Sequence, residues 1–388
     1  MSDGRAEPTF VPLAEPLLGG NERAYLDECL RTNFVSSVGP FVERFEREFA
    51  AYVGAKYAVA CSTGTAALHV AMRLLEIGQG DEVFCSTMTF IASANPAAYE
   101  KAKLTLVDAE ETTWNLSPDK IVAELDRRAR EGLAQPKAVE VVHILGHPAD
   151  LAPIQAVCDK YGIPVIEDAA EALGARWTEG AFAGKHVGTV GKVGCYSFNG
   201  NKIITTGGGG MITTDDPALA KRAKHLTTQA RLPGAEYRHD EIGYNYRLTN
   251  LAAALGVAQL EQLPAFLEKK RSIADRYDRA LGDLVGYGSP PRTPWASPSF
   301  WLYTCRLAPS FGIDRVALMR ALDTVKIQAR PVWTPLHVMP MYEGHPRLGG
   351  EVADRLFAEC LSLPCSVGLS ESDQDRVIEA VRAAARRQ

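Results

Sequence analysis

From about residue 55 to residue 215, short apolar runs alternate with stretches whose apolar positions recur every three or four residues. Tyr57-Ala58-Val59-Ala60-Cys61 reads as a strand. Leu68, Ala71, Met72 and Leu75 then fall at i, i+3, i+4 and i+7, one face of a helix. Further strands are expected at 81–85, 104–108, 139–144, 163–167, 193–198 and 211–214. Strands alternating with helices predict an α/β fold on a large, mostly parallel, doubly wound sheet. Ligands of such sheets bind beyond the carboxyl ends of the strands, where Asp168 and Lys202 both fall.

The pattern changes near residues 256–264, where Gly256 and Pro264 suggest a boundary. Beyond it, Ile273, Tyr277 and Leu281 stand at four-residue spacing on a long helix, a Pro/Ser-rich connector spans 288–299, and 300–307 reads as a strand. The expected organisation is an N-terminal arm at 1–19, a large domain at 20–256 and a smaller α+β domain at 257–388. A chain of 388 residues exceeds what one small core organises, which agrees with two domains.

The net charge of −5 gives no reason to expect nucleic acid or a polybasic membrane contact. No apolar run approaches the roughly 18 residues of a membrane span, and residues 1–8 are polar, without the apolar segment of a signal peptide. The eight cysteines are scattered and form no CxxC pair, so they read as small buried hydrophobes in a reducing cytoplasm.

Chemistry concentrates where strands end. The run 193–198 empties into Asn199-Gly200-Asn201-Lys202, followed by Ile203-Ile204-Thr205-Thr206 and four glycines, Gly207 to Gly210. The run starting at Ile163 ends in Glu167 and Asp168. A lysine in a glycine-rich loop and an acid at a strand end suit pyridoxal 5′-phosphate, which needs an amine to bond its carbonyl carbon and a carboxylate at its ring nitrogen. The carboxylate favours the protonated ring, because an opposite charge stabilises the charged state. Ala169, Ala170, Ala172 and Gly174 leave room for a flat ring. Ser197 and Asn199 put polar groups beside Lys202, whose desolvation would lower its pKa and make it a usable nucleophile and base. Ser62-Thr63-Gly64-Thr65-Ala66-Ala67-Leu68 joins a strand to a helix, a junction whose unpaired N–H groups seat a phosphate. Taken singly, these residues also read as an N-cap, a surface salt bridge and a solvated lysine; their company favours the cofactor.

Two other patterns carry less. Gly180-Ala181-Phe182-Ala183-Gly184-Lys185-His186 has three residues between its glycines and His186 where a P-loop needs Ser or Thr, so it reads as a surface hairpin. His143 and His147 lack the HExxH arrangement and suit a core or loop role; no metal site is expected.

Together, Phe34-Val35-Ser36-Ser37-Val38-Gly39, Gly64-Thr65-Ala66-Ala67-Leu68, Thr89-Phe90, Glu167-Asp168-Ala169-Ala170, Ser197-Phe198 with Lys202 five residues after Ser197, Gly243-Tyr244-Asn245-Tyr246-Arg247 and Pro335-Leu336-His337 carry a family likeness. From about Phe34 to the C-terminus the chain resembles the DegT/DnrJ/EryC1/StrS family of pyridoxal-phosphate-dependent sugar-nucleotide aminotransferases. The resemblance implies the type I, aspartate aminotransferase-like fold and a homodimer with composite active sites. It makes Lys202 the cofactor-bonded lysine and proton shuttle, Asp168 the partner of the pyridine nitrogen, and Phe90 the residue stacked on the ring. Gly64, Thr65 and Ser197 would hold the phosphate with Asn245 of the other subunit, and Ala66 and Asn199 complete the expected cofactor contacts. Glu171 departs from the Gln or His of many members near the cofactor's phenolic oxygen, where two negative charges repel unless a proton is shared.

The segments 167–174, 198–206 and 225–230 are similar to the branch acting on UDP-2-acetamido-2,6-dideoxy-4-keto-hexoses, which makes precursors of bacillosamine and legionaminic acid. Lys202 argues against the related dehydratases, in which a histidine takes its place. The expected reaction passes an amino group from L-glutamate to C4 of such a sugar, with pyridoxamine 5′-phosphate between the two halves. Arg231, Arg330 and His337 are candidates for the nucleotide sugar or the glutamate carboxylate, and equally for structural salt bridges and caps. Competing readings are a C3-keto or a GDP- or dTDP-linked substrate, a plain amino-acid transaminase, and a non-catalytic binding protein. The presence of both Asp168 and Lys202 argues against the last.

Overall fold

A computed structural model describes residues 9–386; the polar segment at 1–8 lies outside the described residues. Seven strands are laid down first: β1 (Tyr57–Cys61), β2 (Glu82–Ser86), β3 (Lys103–Val107), β4 (Ala138–Val142), β5 (Val165–Asp168), β6 (Arg176–Trp177) and β7 (Val193–Ser197). The rest are β8 (Gly210–Thr214), β9 (Tyr287–Gly288), β10 (Ala296–Ser297), β11 (Tyr303–Leu307), β12 (Arg330–Pro331), β13 (Arg347–Leu348) and β14 (Cys360–Leu363).

The large sheet has the order β1-β8-β7-β5-β4-β2-β3-β13, and β8 alone runs against the others. Its central strands β4 and β5 are buried along their whole length, as expected where helices cover both faces. The expected strands match to within two residues at most ends. The run 139–144 stops at Val142, because Ile144–Gly146 turns as a short 3-10 helix with Leu145 in the left-handed region at φ 56°.

The boundary expected at 256–264 falls inside a continuous helix, Asn250–Leu281, 32 residues long. Gly256 serves packing there: a β-carbon on it would lie 2.7 Å from the Phe45 ring of the helix Pro40–Val53. Pro264 removes one N–H from the helix interior, yet buried Leu263, Phe266 and Leu267 around it hold the helix against the core. Further along, Ile273, Tyr277 and Leu281 are buried on one face as their spacing predicts.

The second sheet is antiparallel, in the order β12-β14-β11-β9. β11 begins at Tyr303 rather than at 300, because residues 299–301 dock on the turn at Gly146. Ser299 N donates to Gly146 O at 2.9 Å, and Phe300 takes φ 50°. The described part of the N-terminal arm lies on this side of the molecule, where Val11 bridges Ile327 and Leu13 O accepts from Cys365 N. All eight cysteines are buried free thiols. No helix among the described residues is long and apolar enough to cross a membrane.

Candidate active site

The carboxyl ends of β5 and β7 and the start of the helix Gly64–Leu74 meet at a cavity of about 320 Å³. Thr63 has extended backbone angles and its Oγ1 accepts from Ala66 N at 2.9 Å, so it caps the helix and leaves the amides of Gly64 and Thr65 toward the cavity end. Ser197 closes this end. A β-carbon on Gly64 would stand 2.7 Å from Ser197 Cβ, and one on Gly210 would meet Thr63 O at 2.4 Å, so strand and helix start approach closely only because these residues are glycine.

Asp168, 4% exposed, ends β5 in the same cavity. Its Oδ2 accepts from Ser93 Oγ at 2.8 Å and its Oδ1 from Ala170 N at 3.0 Å. Burial raises its pKa, and the Ser93 hydroxyl, the Ala170 amide and the charge of Lys202 offset part of that. Glu171 is buried one turn further on and accepts from Leu145 N at 2.7 Å. Burial lifts its pKa to about 7 against the charge of Lys202 and the Leu145 bond. Lys202 follows the turn closed by its own N–H on Asn199 O at 2.9 Å. Burial lowers its pKa, opposed by Glu171 and Asp168. Phe90, half exposed, lines the opening beside Trp333, their rings 6.4 Å apart.

The cavity thus gathers Gly64, Thr65, Phe90, Asp168, Glu171, Ser197, Asn199 and Lys202. Ala66 lies just outside it, its amide spent on the Thr63 cap. Asn245 is not in this cavity: it bridges Thr228 in a loop whose Tyr246 O accepts from Ser62 N. Arg231 lines a separate polar hollow, with its guanidinium over the Tyr237 ring. Arg330 is exposed on β12. His337 is buried against Thr87 Oγ1 at 2.8 Å, and its Nε2 lies 3.1 Å from Asp354 Oδ1.

Sequence reasoning missed Ala92, Ser93, Trp301 and Trp333 in the cavity wall, and gave no site role to Asn201, Gly208 and Gly209 of the lysine's own loop. Ser93 sits one turn after Phe90 and could have been sought as a partner for Asp168. The tryptophans had no local signal. The segment 180–186 folds as a hairpin, with Trp177 N on Lys185 O and His186 buried to accept from Gly174 N. His143 and His147 are both buried, His143 against Glu167 and His147 against the Pro148 carbonyl.

This donor set fits pyridoxal 5′-phosphate. A capped helix start and a serine suit its phosphate, a buried carboxylate its ring nitrogen, and a desolvated amine its carbonyl carbon. Fold and cavity define a pyridoxal-phosphate enzyme of type I fold. The model of the DegT/DnrJ/EryC1/StrS aminotransferase family matches residues 16–382, and the chain belongs to that family. It is a pyridoxal-phosphate-dependent sugar-nucleotide aminotransferase. Over 377 residues it is 43% identical to the putative pyridoxal phosphate-dependent aminotransferase EpsN of Bacillus subtilis (strain 168), covering 96% of this chain and 95% of that protein. It is 40% identical to the GDP-perosamine synthase of Caulobacter vibrioides over 372 residues, 96% of this chain and 97% of the relative. The crystal structure of the aminotransferase TlmJ from Streptoalloteichus hindustanus superposes with a TM-score of 0.87 at 32% identity, covering 97% of this chain and 99% of that one.

Proposed function

We propose that this enzyme moves an amino group from L-glutamate to C4 of a UDP-linked 2-acetamido-2,6-dideoxy-4-keto-hexose, giving a 4-amino sugar nucleotide. The observation that carries the reading is the cavity wall: Lys202, Asp168 and Glu171 share it with Phe90, Trp301 and Trp333. Aromatic faces suit the apolar C–H face of a pyranose and the methyl group of a 6-deoxy sugar. The likeness of segments 167–174, 198–206 and 225–230 to the UDP-sugar branch supports the choice of substrate.

Bound pyridoxal phosphate supplies an electron sink for a carbanion beside nitrogen. The chain supplies the rest. Lys202 Nζ would hold the cofactor and, when free, would carry the proton between the substrate carbon and the cofactor's former carbonyl carbon in each half; its lowered basicity keeps the unprotonated amine available. Asp168 holds positive charge at the ring nitrogen. Glu171 offers its carboxyl proton to the phenolic oxygen. Gly64, Thr65 and Ser197 hold the phosphate, Asn199 completes the cavity wall beside them, and Phe90 covers the ring. Asn245 serves the phosphate in the cavity of a second subunit in a homodimer, and Arg231 is a candidate contact for the nucleotide sugar. The large cofactor-binding unit and the smaller C-terminal unit, joined through the helix Asn250–Leu281, belong to the same proposal.

A GDP-linked 4-keto-6-deoxyhexose is the second reading, favoured by the 40% identity to a GDP-perosamine synthase. Incubation with L-glutamate and UDP- and GDP-linked 4-keto sugars, followed by NMR of the products, separates them. Amine transfer to C4 of the UDP-linked N-acetyl sugar is expected. Transfer to the GDP-linked sugar alone would replace the first reading by the second, and no transfer to any keto sugar would overturn both.

A further inference from the structure

Lys202 Nζ rests 3.7 Å from the centroid of the Trp301 ring. Among the described residues it has no hydrogen bond and no carboxylate within ion-pair distance, although the charges of Glu171 and Asp168 both reach it. The ammonium is therefore held by an aromatic face. That choice has a chemical consequence. A carboxylate in direct contact would keep the proton on the amine and tie it to one place. The ring quadrupole attracts the charged form more weakly, and it loses little when the neutral amine swings away.

Trp301 itself is fixed from four directions. Its indole Nε1 donates to Asn201 O at 2.7 Å, the carbonyl immediately before Lys202, so the ring is tied to the backbone that carries the amine. Its ring stacks on Trp333 at 6.0 Å and 12°. Its own carbonyl accepts from buried Lys270 Nζ at 2.7 Å. Phe300, just before it, is held in the left-handed region, a conformation that disfavours side chains and persists where the surroundings impose it. A side chain that only filled space would need none of these restraints.

We propose that Trp301 is a positioning residue for Lys202: its indole face receives the ammonium whenever the amine is not bonded to the cofactor, and so sets where the proton is held between steps. This rests on Lys202 being the cofactor-bonded lysine, which borohydride reduction of the holoenzyme and peptide mapping test on their own.

The test uses the cofactor-free enzyme and a readout other than activity. Acylation of Lys202 by acetic anhydride is followed across pH by peptide mass spectrometry, which gives the apparent pKa of that amine. The protein is prepared with ordinary tryptophan and with fluorinated tryptophans, which keep the size of the ring but weaken its quadrupole. Of the five tryptophans, Trp301 alone is placed under this amine among the described residues. Each added fluorine should lower the apparent pKa, by about 0.5–1.5 pH units over the series. In W301F the same fluorination should have no effect. An unchanged pKa in the parent, or a fall that persists in W301F, would overturn the proposal.

Discussion

Glu167 and Asp168 are neighbours on β5, and the two-residue period of a strand sends them to opposite faces of the sheet. Both are buried, yet their pKa values move in opposite directions. Glu167 accepts from Gly188 N, Val190 N and Gly191 N at 2.6–2.7 Å and from His143 Nε2 at 2.9 Å; His143 Nδ1 accepts from Ala149 N, which leaves the proton on Nε2. Burial alone would raise its pKa, and these bonds outweigh it. Asp168 has two donors, and burial prevails. A carboxylate whose acceptor sites are all filled is a structural rivet. One with capacity left over, facing a cavity, can serve a ligand. Glu140 marks the extreme: on β4, on the face it shares with Asp168 through the register Glu140↔Ile166 and Val142↔Asp168, it is fully buried and neither oxygen has a partner. Burial, and after it the charge of Asp168, push its pKa well up.

The comparison breaks if the two faces respond alike. Glu167→Ala should cost about 3–5 kcal/mol in stability, because it leaves three amides and an imidazole N–H unpaired in the core. Chemical denaturation measures it, and activity per folded molecule should stay near the parent's. Asp168→Asn should do the reverse, lowering amino transfer about 10²–10³-fold with no comparable loss of denaturation midpoint. If Asp168→Asn unfolded the chain while Glu167→Ala silenced it, the assignment of faces would be inverted.

Glu140→Val sharpens the contrast from the other side. The folded-state pKa of Glu140 is raised, so the native chain holds a proton that the unfolded chain releases above about pH 4.5. The cost of keeping Glu140 therefore grows with pH by about 1.4 kcal/mol per unit until its folded pKa is passed. The variant should be more stable than the parent at pH 7–8, with the gap closing as the pH falls toward 4.5. Equal melting curves at both ends would refute an unpaired acid at this position. The smallest effect belongs to Glu171→Gln. With the Glu171 pKa at about 7, its proton is present below that pH and lost above it. The parent should lose about tenfold in this contribution between pH 6 and pH 8. Glutamine keeps an N–H donor and does not titrate, so its pH–rate profile should lack that alkaline fall.

Much of the fold was legible because buried parallel strands are continuous apolar runs and the helices between them keep a 3.6-residue period. The cavity residues on short connections could be read too: Lys202, Asp168 and the Gly64–Thr65 turn lie where strand ends and helix starts must meet. Trp301 and Trp333 were hidden because they come from the far side of the chain, about 100 residues or more beyond Lys202; the docking of residues 299–301 on Gly146 brings in Trp301, and Trp333, just after β12, stacks on it. Glu140 stands between Val139 and Val141 in a strand, and nothing local in the sequence says that both its oxygens are left without a donor. Gly256 and Pro264 stand inside one continuous helix for a related reason, since tertiary packing against Phe45 and the core outweighs their low local helix preference.

The helix that runs through them works as a ruler. At its start Asn250 clasps the Phe34 carbonyl and the Phe41 amide; twenty residues on, about 30 Å along the axis, Lys270 grips the carbonyls of Trp301 and Cys365. A single inserted residue between those marks would turn Lys270 by about 100° and carry it off both carbonyls. The length of this helix is thus as strict a requirement as the identity of any side chain in the cavity.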